Sequence, residues 1–137
     1  ASAFVARFLG NANLVAARVR DADAGTLAVE IDGVGLVRTQ RRGYAPGRGE
    51  KVLVAIRPER IRLQGQAGET PPDGIALPAT VTAVDYQGQA ARYFVDVAGR
   101  ALQALNPIEA SPHRRGEQVT VTIRGRDCVL VPVEVNA

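Results

Sequence analysis

The stretch 52–63, Val-Leu-Val-Ala-Ile-Arg-Pro-Glu-Arg-Ile-Arg-Leu, returns in shortened form near the C-terminus, and that echo limits the fold more than any other feature. Arg48-Gly49-Glu50, Val52, Val54, Ile56-Arg57 and Leu63 recur as Arg115-Gly116-Glu117, Val119, Val121, Ile123-Arg124 and Leu130, all at one fixed offset. A common strand requirement accounts for Val-x-Val-x-Ile but not for the Arg-Gly-Glu before it, so the chain reads as a duplicated supersecondary unit. Within the unit, Val52, Val54 and Ile56 alternate as a strand with one buried face. Arg57-Pro58-Glu59 then ends that strand, because proline cannot donate to a ladder, its fixed φ suits the start of a helical turn, and Glu59 complements that turn's N-terminal dipole. Ile61 and Leu63 resume the alternation. The second copy has Arg124-Gly125-Arg126 instead, which predicts the Pro-started turn in the first copy only.

Upstream, 17–37 lies beside 79–105 with a drifting offset, each containing a hairpin that pivots on Asp32-Gly33 or Ala98-Gly99. Alternation predicts further strands at 14–20, 26–31, 34–39, 75–86, 92–97, 101–105, 118–123 and 128–133. Residues 1–10 read as the end of a connecting helix, with Phe4, Val5, Phe8 and Leu9 on one apolar face and Gly10 as its stop. Residues 64–74, almost without apolar side chains, read as a linker between a first repeat at 11–63 and a second at 75–137. Short strands with Gly or Pro punctuation and almost no helix predict an all-β chain built as small barrels or a sandwich.

The formal charge of +3 is unevenly spread: residues 1–63 carry 11 basic and 6 acidic side chains, residues 64–137 carry 6 and 8. The single cysteine, Cys128, cannot form an internal disulfide, and no run of about 18 apolar residues or signal peptide is present, so a cytoplasmic setting is expected. Catalytic sets are missing from the sequence. A Walker loop needs Gly-Lys followed by Ser or Thr, and the only lysine, Lys51, stands between Glu50 and Val52. Gly33-x-Gly35 and Gly47-x-Gly49 each lack the third glycine of a dinucleotide fingerprint and read as turns. Ser111 and His113 share a Pro-rich loop read as a solvated turn, and Cys128 reads as a small core residue. One His and one Cys suggest no zinc site. The cluster Arg38, Arg41, Arg42 and Arg48 keeps a nucleic-acid-binding module open as a second reading, but Tyr93 and Phe94 point to opposite faces and at most one joins a stacking platform.

The motifs Phe4-Val5-Ala6 with Phe8, Gly10 and Asn13, then Val52-x-Val54-x-Ile56-Arg57-Pro58-Glu59, then Tyr86-x-Gly88 with Arg92-Tyr93, resemble the C-terminal regulatory region of bacterial ABC importer ATPases. The spermidine/putrescine and ferric-iron group, whose region is called the TOBE (transport-associated OB) domain, is the nearest in pattern. The resemblance implies tandem OB-like small β-barrels from an internal duplication, with a short N-terminal helix, following a nucleotide-binding domain absent from this chain. Strands of such tandem barrels can be exchanged between lobes. It further implies a non-catalytic domain that helps pair two ATPase subunits at the inner face of the cell membrane and, in some relatives, senses a solute. No cofactor is expected in this chain, ATP and magnesium belonging to the absent domain. The implied partners are a second copy of the subunit, the nucleotide-binding domain in cis, the membrane subunits indirectly, and a small-solute effector; nucleic acid is not expected. Asn13, Arg57, Pro58, Glu59, Tyr86, Gly88, Arg92 and Tyr93 carry over as mainly structural residues with an interface role as the alternative. Asn13 and Gly88 are read as turn-makers, and Arg57 with Glu59 as an exposed ion pair. No catalytic or metal-binding residue is assigned.

Overall fold

Period-two alternation of valine and isoleucine with polar or small residues produces strands throughout the computed structural model, which describes residues 11–65, 69–109 and 111–133. The helix expected at 1–10 and the middle of the expected linker lie outside the described residues. In chain order the elements are β1 (Asn13–Ala22), β2 (Thr26–Ile31), β3 (Gly35–Gln40), β4 (Lys51–Ile56), a 3-10 turn (Pro58–Arg60), β5 (Arg62–Gln64), β6 (Ile75–Gln87), β7 (Ala90–Val97), β8 (Arg100–Pro107), β9 (Gln118–Ile123), a second 3-10 turn (Gly125–Asp127) and β10 (Val129–Pro132). The inward residues Val15, Ala17, Val19, Val52, Val54 and Ile56 of one sheet join Val81, Val95, Val97, Val121 and Ile123 of the other in one continuous core. This is an all-β fold of two tandem OB-like lobes.

The sheets are ordered β10-β4-β1-β2-β3 and β5-β9-β6-β7-β8, so each sequence half lends its last strand to the sheet of the other. Arg62 pairs with Thr122 and Leu63 with Val121 in one sheet, while Val129 pairs with Ala55 and Leu130 with Val54 in the other. The offset that carries Val54 to Val121 also carries Leu63 to Leu130 and Arg62 to Val129, so the exchange is reciprocal and in identical register. Corresponding irregularities support the same duplication: the ladder shifts between Val19 and Asp21 in β1 and between Val81 and Ala83 in β6.

The Arg-Gly-Glu echo has a local cause. Gly49 and Gly116 take φ of 85° and 87°, a conformation costly for other residues. Their N–H groups donate to the carbonyls of Val19 and Val81 at 2.8 and 2.7 Å. The following glutamates close the turns with their side chains, Glu50 accepting from the Gly47 amide at 3.1 Å and Glu117 from the Arg114 amide at 2.9 Å. Each strand β4 and β9 therefore starts from the same capped turn.

Candidate functional site

The resemblance residues fall into two groups. Asn13, Pro58, Arg92 and Tyr93 hold the scaffold. Asn13 is not in a turn: it is the first residue of β1, and its side-chain amide donates to the carbonyls of Ile56 at 3.1 Å and Gln103 at 2.9 Å while accepting from the Gln103 amide at 2.8 Å. It thus joins β1 and β4 of one sheet to β8 of the other. Arg92, half-buried, donates to the Gln103 side chain at 3.0 Å. Tyr93 is 2% exposed, so it belongs to the core and not to a stacking platform. Its hydroxyl accepts from the His113 amide at 3.1 Å, and the His113 ring meets its ring edge-on with centroids 5.3 Å apart.

Arg57, Glu59, Tyr86 and Gly88 form the exposed group. Gly88 has φ of 66° between β6 and β7, and Tyr86 near the end of β6 is 60% exposed. Arg57 and Glu59 do not pair with one another: the ion pairs among the described residues are Arg20–Glu30, Arg60–Asp127, His113–Glu117 and Arg124–Asp73. Both side chains are exposed, on either side of buried Pro58.

The first 3-10 turn starts at buried Pro58, with Glu59 in its first turn as its dipole favours, and the amides of Arg60 and Ile61 donate to the carbonyls of Arg57 and Pro58. The second copy makes the same turn, contrary to the sequence expectation. Asp127 and Cys128 donate to the carbonyls of Arg124 and Gly125, both at 3.0 Å. Gly125 replaces proline for a steric reason. A Cβ at that position would overlap the backbone oxygens of Arg38 and Asp73, and the Gly125 amide donates to the Asp73 carbonyl at 3.2 Å, a bond that proline cannot make.

Where the two turns meet, a groove of about 580 Å³ is lined by Glu59, Arg60, Arg62 and Thr122 with Arg124, Arg126 and Asp127. Arg60 and Asp127 approach to 3.9 Å across it. Asp73 anchors one side: its carboxylate accepts from the Arg126 amide at 2.9 Å and lies 3.5 Å from the Arg124 guanidinium. Burial pushes the Asp73 carboxyl up, but the backbone amides of Arg126 and Asp73 together with Arg124 outweigh it and hold the group below the usual carboxylate range. The groove can engage a charged partner of either sign; it contains no nucleophile beside a base.

Sequence reasoning missed the buried brackets of the exchanged strands. Asn106 on β8 donates to the Ile61 carbonyl at 2.8 Å and accepts from the Leu63 amide at 2.9 Å. At the equivalent position of the first copy, Thr39 donates to the Cys128 carbonyl at 3.1 Å. A lone Asn in an alternating strand carries no signal of this, although the fixed offset of the repeat would have pointed from one bracket to the other. Ser111 and His113 form no nucleophilic pair; the His113 Nδ1 lies 2.9 Å from Glu117. Cys128 is fully buried, and burial foremost, with Asp127 and Asp73, pushes its thiol up to about 12. Among the described residues no group of three or more His, Cys, Asp or Glu stands together to hold a metal.

Comparison with known proteins adds the family. The pattern of the TOBE domain matches residues 54–131. The spermidine/putrescine import ATP-binding protein PotA of Rubrobacter xylanophilus is 30% identical over 135 residues, covering 96% of this chain and 34% of its own length. The Fe(3+) ions import ATP-binding protein FbpC 1 of Rhizobium meliloti is 28% identical over 131 residues, with the same coverages of 96% and 34%. The chain spans about a third of the length of the curated relatives it matches. Among solved structures, the molybdate-bound cytoplasmic protein ModG superposes with a TM-score of 0.74 at 13% identity, covering 88% of this chain and 95% of that one, a likeness of fold alone.

Proposed function

The chain belongs to the TOBE domain family, and from that premise we propose that it is the non-catalytic regulatory and dimerisation domain of the ATP-binding subunit of an ABC importer of the polyamine or ferric-iron type. The match over 54–131 carries this reading, supported by relatives whose names are those of import ATP-binding proteins and of which this chain corresponds to about a third. On this reading ATP and magnesium bind in the nucleotide-binding domain of the longer polypeptide, which works at the inner face of the cell membrane with a second copy of the subunit and, through it, the membrane subunits. The domain acts by contact. It biases the ATPase pair only so far as its surfaces meet the partner differently in the open and closed states, a coupling typically of about 1–3 kcal/mol, or roughly 5- to 150-fold. Arg57, Glu59 and Tyr86 are exposed and so are candidates for such contacts.

The mixed-charge groove between the two 3-10 turns favours a second reading, a sensor for a small charged solute. Calorimetry of the whole chain separates the two. The dimerisation reading expects no heat with MgATP, spermidine, phosphate or single-stranded oligonucleotide; heat with spermidine or phosphate that disappears in Arg60→Ala/Asp127→Ala establishes the sensor. Turnover of ATP by the chain alone contradicts both.

A further inference from the structure

The fixed offset of the repeat also brings two cavities into correspondence, one beside each exchanged strand. Beside β10 the cavity measures about 180 Å³ and is walled chiefly by Leu27, Tyr44, Cys128, Val129 and Leu130. Tyr44 packs on the core there, and its hydroxyl donates to Glu50 at 2.8 Å, so the phenol spans from the core to the turn that starts β4. Beside β5 the cavity widens to about 330 Å³, and its walls carry Arg62, Tyr93, Asn106, Glu109, Ser111 and His113. Ser111 stands where Tyr44 does and Arg62 where Val129 does, while Ala91, opposite Asn106, takes the place of Leu27, opposite Thr39. Apolar bulk at three equivalent positions has thus become small or charged. The scaffold does not require the change, since its other copy is built on the apolar set.

We propose that the cavity beside β5 binds a small monocarboxylate. Two of its walls are buried donors that the fold leaves open. The Tyr93 hydroxyl, at a position that is Val29 in the other copy, accepts from the His113 amide at 3.1 Å and, among the described residues, donates to no group. The Asn106 side-chain nitrogen carries two hydrogens, of which the Ile61 carbonyl takes one. Both residues are nearly inaccessible, 2% and 7% exposed, and a buried donor without an acceptor is costly. An acceptor oxygen inside the cavity satisfies both. The Ser111 hydroxyl and the Arg62 guanidinium add donors to the same walls, and a guanidinium joined by further N–H and O–H groups suits the two oxygens of a carboxylate. Glu109 limits the charge, because a second negative charge on the ligand is repelled by it. The site borders the groove between the 3-10 turns, sharing Arg62 with it, and stands whether or not the chain serves a transporter.

His113 is the only histidine of the chain, so its ring proton signal in an NMR spectrum reports on this cavity without overlap. Acetate is titrated into the full chain at constant pH and ionic strength, with chloride making up the balance and inorganic phosphate as the more highly charged comparison. The His113 signal is expected to shift saturably with acetate, with half-saturation between about 0.1 and 10 mM, within what so small a ligand allows, and less readily with phosphate. Ser111→Tyr, which restores the side chain of the first copy at an exposed position, is expected to abolish the response. Tyr93→Phe, which removes only the hydroxyl, is expected to weaken it about 10-fold or more. A shift that rises linearly with acetate, as when water alone fills the cavity, tighter binding of phosphate, or an undiminished response in either variant overturns the proposal.

Discussion

At the scale of residues, the exchanged strands are held by a few buried polar groups. Asn106 satisfies both the Ile61 carbonyl and the Leu63 amide, so Asn106→Ala leaves two backbone groups without a partner. That loss is expected to cost at least about 2 kcal/mol in urea denaturation. Thr39→Val in the other copy is expected to cost only about 1 kcal/mol, because the Cys128 carbonyl still accepts from Arg42 at 3.2 Å. Comparable losses would show that the brackets do not act as described. Ala98 takes a left-handed φ of 52°. Ala98→Asn is therefore expected to stabilise the chain by about 0.5–1 kcal/mol, read as an increase in melting midpoint. Glu117 supplies the pH dependence. The His113 hydrogen bond, then the Arg114 amide, hold its carboxyl below the ordinary value of 4.5. A folded value below the unfolded one gives stability that is present above the unfolded value and lost as pH falls through the folded one. Glu117→Gln is therefore expected to flatten the acid limb of a stability–pH curve.

At the scale of elements, the 3-10 turn is the shared device of the duplication, reached by two different residues. Proline at position 58 was legible from its φ and its place before Glu59, and Arg-Gly-Glu was legible as a repeated unit. The second turn was not, because Arg124-Gly125-Arg126 carries no proline and the requirement for glycine comes from the backbone of Arg38 and Asp73, remote in sequence. Gly125→Ala is thus expected to destabilise by about 2 kcal/mol or more, whereas Pro58→Ala costs about 1 kcal/mol or less, a contrast measurable in denaturant midpoints. Asn13 shows the same limit: asparagine suggests a turn locally, and only the approach of β8 turns it into a clamp between sheets.

At the scale of the whole molecule, alternation predicts which face of β5 and β10 is buried but not which sheet receives them, since the same pattern fits either lobe. The partner is selected by the turn preceding each strand and by the bracket that awaits it. One consequence is mechanical. Cleavage at an engineered protease site between Gln66 and Gly68 is expected to leave the two fragments bound to one another on a sizing column, since each holds a strand of the other's sheet; separation without denaturant would contradict the exchange. On the proposed function, this exchanged scaffold transmits contact between two copies of a longer ATP-binding subunit. Sedimentation of the longer ATP-binding subunit with and without residues 11–133, in the presence of MgATP, tests that claim most directly. The intact subunit is expected to sediment as a dimer and the shortened one to shift toward monomer while still binding nucleotide; equal dimerisation of both would contradict a role in pairing the subunits.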